Sequence, residues 1–294
     1  MGSFTLSLAL VLGLQGGDLP TAPQSVDGRV VKPGDHKMDP IAAMWVTLHR
    51  VGSDAQGPID SVRTDAKGRF SFHYHKTGSS DAIYFVSGIY RGIAYFTPPL
   101  SKDDVNGIDA EVTVFDTTSR HVPISVRGHH IVISAVDANA MRNVVEVYDL
   151  VNDSSVTKIP AGNDARQSVW SAPLPAGATG ASVREGDFPA AAISFADGRV
   201  ALFAPFAPGL KQLAFTYSIP AKNFPLSVPV LDTTGVFEVM VEEKSGTVAG
   251  AALKEVEPVS VEKRSFRRYL GSDVPRSAVA TIDLPPPPPQ TDPR

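Results

Sequence analysis

The chain contains no cysteine. This excludes disulfide staples, zinc–thiolate sites, iron–sulfur clusters, a lipidated cysteine anchor and any cysteine nucleophile. It also lacks an excess of positive charge. Lys and Arg number 27 against 31 Asp and Glu, a net charge of −4, which is not the footprint of a protein that neutralises phosphates. Nucleic acid is therefore not an expected partner. Catalytic signatures are missing as well: there is no Gly-x-Ser-x-Gly elbow, no His-Glu-x-x-His and no phosphate-binding loop ending in Lys-Ser/Thr. No catalytic residue, no metal ligand and no cofactor is assigned on this basis, and the protein is not expected to be an enzyme.

One apolar run stands out near the start, residues 4–14 (FTLSLALVLGL). It falls short of the ~20 residues that a bilayer-spanning helix needs, but it has the length of an export-signal core. No Lys or Arg precedes Arg29, so the usual cationic flank is missing. The expectation is a signal or short anchor over residues 1–24. Phe4, Leu8 and Leu12 would be its membrane- or partner-facing side chains, and the protein would sit exported on the periplasmic side of a bacterial membrane.

What is abundant is turn chemistry. Glycine (24) and proline (25) make up about one residue in six of the 294, above the ~12% of average proteins. With period-two alternation along most of the chain, this predicts an all-β fold of tandem antiparallel sandwiches with extended termini. Between residues 25 and 118 the strands read as Gly28 to Val31, Met44 to Arg50, Ser61 to Thr64, Arg69 to His75, Ile83 to Ser87 and Ile89 to Phe96. In RFSFHYH, Phe70, Phe72 and Tyr74 share one face; Ser71, His73 and His75 share the other. Asp65-Ala66-Lys67-Gly68 reads as a turn, with glycine suited to positive φ.

Three pieces of this segment form a pattern: Gly28-Arg29-Val30; Pro40 followed by Val46-Thr47-Leu48; and Thr64-Asp65-Ala66-Lys67-Gly68-Arg69-Phe70-Ser71-Phe72. In these the segment resembles the carboxypeptidase regulatory-like (transthyretin-like) domains. The resemblance covers about a third of the chain and implies a small, non-catalytic β-sandwich with no active site to carry over.

Residues 119–220 read as a second sandwich, with Ala196-Asp197-Gly198-Arg199 as a hairpin turn. Residues 221–284 read as a third, smaller β block too short to bury much by itself. Residues 285–294 form a polyproline tail expected to be an extended left-handed helix. Pro285, Pro287 and Pro289 are its candidate docking residues, since a pre-stiffened backbone lowers the ordering cost of binding.

Weaker constellations are read as follows. His73 and His75 share a strand face and would need a third ligand, with His49 the nearest choice if its strand were adjacent. His129 and His130 are consecutive, so on a strand they face opposite sides. Arg264, Phe266, Arg267, Arg268 and Tyr269 form a basic, aromatic stretch suited to an anionic partner, with Glu255, Glu257 and Glu262 near enough to balance it. Trp45, Tyr90, Tyr95 and Trp170 are candidate carbohydrate-contacting aromatics, although core packing is the expectation for the two tryptophans.

The reading that follows is a non-catalytic extracytoplasmic scaffold or accessory subunit, docked on protein subunits of a larger membrane-associated complex. Its plan is similar to that of extramembrane accessory subunits of bacterial photosynthetic or respiratory complexes. The alternative is a carbohydrate- or cell-surface-binding module, or the accessory region of a hydrolase.

Overall fold

The structure is a computed structural model that describes residues 23–162, 167–261 and 263–286. The apolar segment at 4–14, with Phe4, Leu8 and Leu12, lies outside the described residues, as do Pro287 and Pro289. Among the described residues, the regular elements are twenty-three strands and two single-turn 3₁₀ segments, an all-β fold. None of them is a helix long and apolar enough to cross a membrane. The chain divides into two compact units, residues 1–114 and 115–294.

Among the described residues the first unit has eight strands: β1 (Pro23–Pro33), β2 (Met38–Pro40), β3 (Trp45–Val51), β4 (Gln56–Arg63), β5 (Arg69–His75), β6 (Ile83–Tyr90), β7 (Ile93–Phe96) and β8 (Asp104–Thr113). They form two four-stranded sheets. One has the order β2-β1-β5 with β8 joined to β1 in parallel, and the other has the order β4-β3-β6-β7. Alternation decides what each strand buries. Val26 and Val30 of β1, Val46 and Leu48 of β3, and Phe70, Phe72 and Tyr74 of β5 all point inward. The Asp65–Gly68 turn forms as its residues dictate. The Asp65 side chain accepts the backbone N–H groups of Lys67 and Arg69 at 2.8 Å each, and Gly68 takes φ 73°. Strand β8 is the element that alternation did not reveal. Its middle, residues 106–109, is exposed on every side, so no apolar period marks it.

Tyr74 and Tyr84 meet between the two sheets with ring centroids 5.2 Å apart. Their polar ends fare differently. The Tyr84 hydroxyl accepts the Thr77 N–H at 2.9 Å, whereas the buried Tyr74 hydroxyl has no hydrogen-bond partner among the described residues. Burial, with Tyr84 and Asp103 nearby, pushes the Tyr74 hydroxyl up to about 12 from its ordinary value of 10. Because the folded value lies above the unfolded one, the native state holds its proton longer, and stability falls as pH rises from about 10 to about 12. Tyr74→Phe should therefore melt at the same temperature as the parent or slightly higher near pH 7, since it removes a buried unsatisfied hydroxyl. It should also flatten the decline between pH 10 and 12. Melting curves across that range check both.

The second unit holds β9 (Thr117–Thr118), β10 (Ser125–Ile133), β11 (Met141–Asn152), β12 (Thr157–Lys158), β13 (Trp170–Pro173), β14 (Thr179–Val183), β15 (Ile193–Ala196), β16 (Arg199–Leu202), β17 (Gly209–Pro220), β18 (Leu226–Pro229), β19 (Thr234–Val241), β20 (Thr247–Gly250), β21 (Lys254–Val261), β22 (Arg264–Val274) and β23 (Val279–Asp283). Seven of them make one sheet in the order β14-β17-β11-β10-β19-β22-β21. Two three-stranded sheets, β13-β16-β15 and β18-β23-β20, share its core, where Phe215, Phe237, Val239, Leu202, Val228 and Ile282 are buried together. The segments read separately as 119–220 and 221–284 thus both contribute strands to one sheet. The link is β10 with β19, which pair in parallel from Gly128↔Val236 to Ile133↔Val241. A parallel partner comes from far along the chain, so a boundary drawn from local breakers such as Pro220 does not register it. The Asp197-Gly198 hairpin has both central residues at positive φ, 51° and 67°, as a type I′ turn requires.

Candidate interaction site

The β4-β3-β6-β7 sheet has one face turned to the core and one turned outward. On β3, Val46, Leu48 and Arg50 point in, which leaves Trp45, Thr47, His49 and Val51 on the outside. On β6, Tyr84, Val86 and Gly88 point in, leaving Ile83, Phe85, Ser87 and Ile89 outside. Register then lines these up, with His49 opposite Phe85, Val51 opposite Ile83, and Ser87 opposite Phe96 of β7. An apolar surface results on which Trp45 is 59% exposed, Ile89 68% and Phe96 55%.

The aromatic groups on this face are ordered against each other. His49 stacks on Phe85 at 5.2 Å and 12°, and Phe85 meets Phe96 edge-on at 5.6 Å. The Arg63 guanidinium lies over Trp45, 5.6 Å from its ring centroid. Burial beside Phe85 holds the His49 imidazole below its ordinary value, so it is neutral at pH 7, and its Nε2 shares a 2.8 Å hydrogen bond with the Ser87 hydroxyl. The core packing expected of Trp45 is thus corrected. Its place in the alternation beside inward Val46 puts it outside. Tyr95 turns inward, Tyr90 is half-buried, and Trp170 packs edge-on against Tyr148 at 4.8 Å.

The other sequence candidates are placed as follows. His73 and His75 stand on the outer face of β5, whereas His49 belongs to the other sheet of the unit. On β22, Arg264 pairs with Glu242, Arg268 with Glu238, and Arg267 with Glu255 through two contacts of 2.9 and 3.0 Å. Arg264 lies over the buried Phe266 and Arg267 over Tyr269 on the opposite face of the strand, so the surface here is a set of self-neutralised ion pairs. Pro285 is held through its backbone, its carbonyl accepting a 2.8 Å hydrogen bond from Arg142.

His129 and His130 divide between the two faces of the large sheet. His130 lies outside with its Nδ1 2.7 Å from Glu238 and its Nε2 3.5 Å from Asp149. Burial alone pushes the Glu238 carboxyl up, but its bonds to Arg268 and His130 outweigh that and hold it below the usual carboxylate range. His129 faces the core, stacked between Tyr148 at 4.0 Å and Phe237 at 5.1 Å, with its Nε2 3.0 Å from Glu146. The strand alternation gave the split between the two histidines. Glu146 and Tyr217 carried no signal, because an isolated acid in VVEVYDL reads as an outward residue until the register is known. Among the described residues no group of three or more metal-ligating side chains is arranged to hold a metal ion.

The chain matches no protein-family model, and comparison with curated proteins finds no relative.

Proposed function

We propose that this chain is a non-catalytic, extracytoplasmic accessory subunit that docks on protein subunits of a larger membrane-associated complex. Its first unit would be a carboxypeptidase regulatory-like sandwich, followed by a second sandwich unit. Residues 4–14 would serve as export signal or anchor. The observation that supports the reading best is the outward face of the β4-β3-β6-β7 sheet. Soluble monomers seldom leave a contiguous apolar surface in water, and interface centres favour aromatic residues with few charges. Trp45, Ile83, Phe85, Ile89 and Phe96 fit that composition, and neutral His49 adds no charge to be desolvated.

A full-length Ile89→Glu/Phe96→Glu variant should keep its melting temperature, because both side chains already face solvent. It should lose about tenfold or more of its retention on native membranes. Retention equal to the parent would defeat the proposal. A second reading, carbohydrate binding, draws support from the exposed Trp45 and the neighbouring hydroxyls of Thr47, Ser61 and Ser87. The aliphatic share of the face, Val51, Ile83 and Ile89, favours a protein partner. Trp45→Ala abolishing retention on a glycan matrix while leaving membrane retention intact would reverse the order of the two.

A further inference from the structure

Glu146 is one of several polar side chains buried in the second unit, and it projects from the face of β11 that carries the apolar core. This residue sits in the middle of β11 between inward-facing Val144 and Tyr148 and is 3% exposed. Its carboxylate receives the Tyr217 hydroxyl on one oxygen and lies 3.0 Å from His129 Nε2 on the other. Burial first, and the nearby Glu146 second, push the Tyr148 and Tyr217 hydroxyls well above their ordinary value, so both stay protonated; Tyr217 donates to the carboxylate, and Tyr148 stands next to it on β11. A core position filled only for packing would be apolar, because a buried acid is costly unless it is paired. Here three side chains from β10, β11 and β17 surround one acid.

The acid also borders open space. A cavity of about 220 Å³ is walled by Glu146 and Tyr148 on one side. Pro173 to Ala176 and Ser227 to Pro229, with Leu231, complete it. No Lys or Arg lines it among the described residues. A carboxylate offers about four acceptor positions, and the Tyr217 and His129 contacts leave some unfilled. Its volume exceeds the ~150 Å³ of an engineered cavity that admits benzene, so it takes a ligand of about that size carrying one more polar group.

We propose that this cavity is a binding site for a small organic cation, a primary amine on a compact apolar body. The ammonium group would reach the Glu146 carboxylate beside the Tyr148 ring, and the apolar body would lie against the Pro173–Ala176 and Val228–Leu231 walls. Three features of such a site are present: an acid held by Tyr217 and shared with His129, an aromatic ring beside it, and largely apolar walls that carry no Lys or Arg among the described residues. This site is independent of the docking face on the first unit.

The test uses the full chain and benzylamine, with benzyl alcohol and benzoate as the neutral and anionic counterparts. Calorimetric titration at neutral pH should give benzylamine at least about tenfold tighter binding than benzyl alcohol, and no binding of benzoate. Glu146→Gln should erase the preference for the amine. Since that substitution also disturbs a buried network, Ala176→Trp provides a second arm. Ala176 is exposed at the cavity wall, so filling the mouth there should block benzylamine while the melting temperature stays at the parent value. The proposal is overturned if benzylamine binds no better than benzyl alcohol, if none of the three binds, or if the Ala176→Trp chain binds benzylamine as the parent does.

Discussion

Replacing Arg142 with methionine should lower the melting temperature of the second unit by on the order of 10 °C. Arg142 is fully buried, yet it carries a full charge. Its fork reaches Glu243 at 2.7 Å, the Ser134 carbonyl at 3.2 Å and the Pro285 carbonyl at 2.8 Å, with the Phe224 ring 5.5 Å away. Methionine fills the volume but strands one carboxylate and two carbonyls, and breaking a buried pair from one side costs about 3–5 kcal/mol. Arg142→Lys should recover little, because one ammonium cannot span three acceptors that a planar fork meets at once. Arg142→Met/Glu243→Leu should recover a good part, since the orphaned charge is gone and only the two carbonyls remain unsatisfied. A thermal melt of the four proteins decides it. If Arg142→Met melts within a degree or so of the parent, the residue does not anchor these three acceptors.

The second large effect is expected at Gly28. Its φ is not in the left-handed region, so conformational freedom is not the reason for glycine. Space is the reason. A Cβ there would lie 2.2 Å from the Ala110 carbonyl oxygen and 2.3 Å from the Phe70 ring. Phe70 is the residue directly opposite on β5, and Ala110 belongs to β8, which is paired on both sides of this point at Asp27↔Asn106 and Arg29↔Glu111. The ring can move, whereas the carbonyl adjoins the Arg29↔Glu111 pair that ends the irregular stretch of β8. Gly28→Ala should therefore destabilise the first unit by about 3 kcal/mol, at the upper end of the usual cost of overpacking. Gly28→Ala/Phe70→Leu should regain only part, because the clash with the carbonyl stays. Hydrogen exchange of the β1 and β5 amides is the measurement. Unchanged protection in Gly28→Ala would show that β8 yields more readily than its pairing suggests.

Gly28 also shows why parts of this fold are legible in the amino-acid sequence. The glycine of Gly-x-Val and the first phenylalanine of Gly-x-Phe-x-Phe are about forty residues apart in the chain, and they touch. Strand β5 is legible for a similar reason: Phe70, Phe72 and Tyr74 alternate with polar residues without a break. Strand β21 is not, because this edge strand buries no side chain fully and its pairing slips between Val256 and Val259, so its valines keep no unbroken period. The outward apolar face on β3, β6 and β7 is half legible. Its residues are recognisable as strand residues, but which side of each strand faces water depends on pairing between strands. Glu146 lies furthest from what sequence reasoning reaches, since its partners come from positions 129 and 217 and converge only through the register of three strands.

The parallel pairing of β10 with β19 bears on how the second unit comes to exist at all. His130 and Glu238 face each other across that pairing from 108 positions apart. During synthesis, β10, β11 and β17 emerge with one edge of the sheet unfilled, and the strand that closes it arrives only after another stretch of chain has been made. Contacts of such high sequence separation slow folding, because loop-closure entropy is spent before the contact is gained. Until β19 docks, the open backbone edge of β10 is a template for strands of other chains. Partly folded copies with that edge still open are thus the state in which this protein is most exposed to misassembly through strand-to-strand pairing.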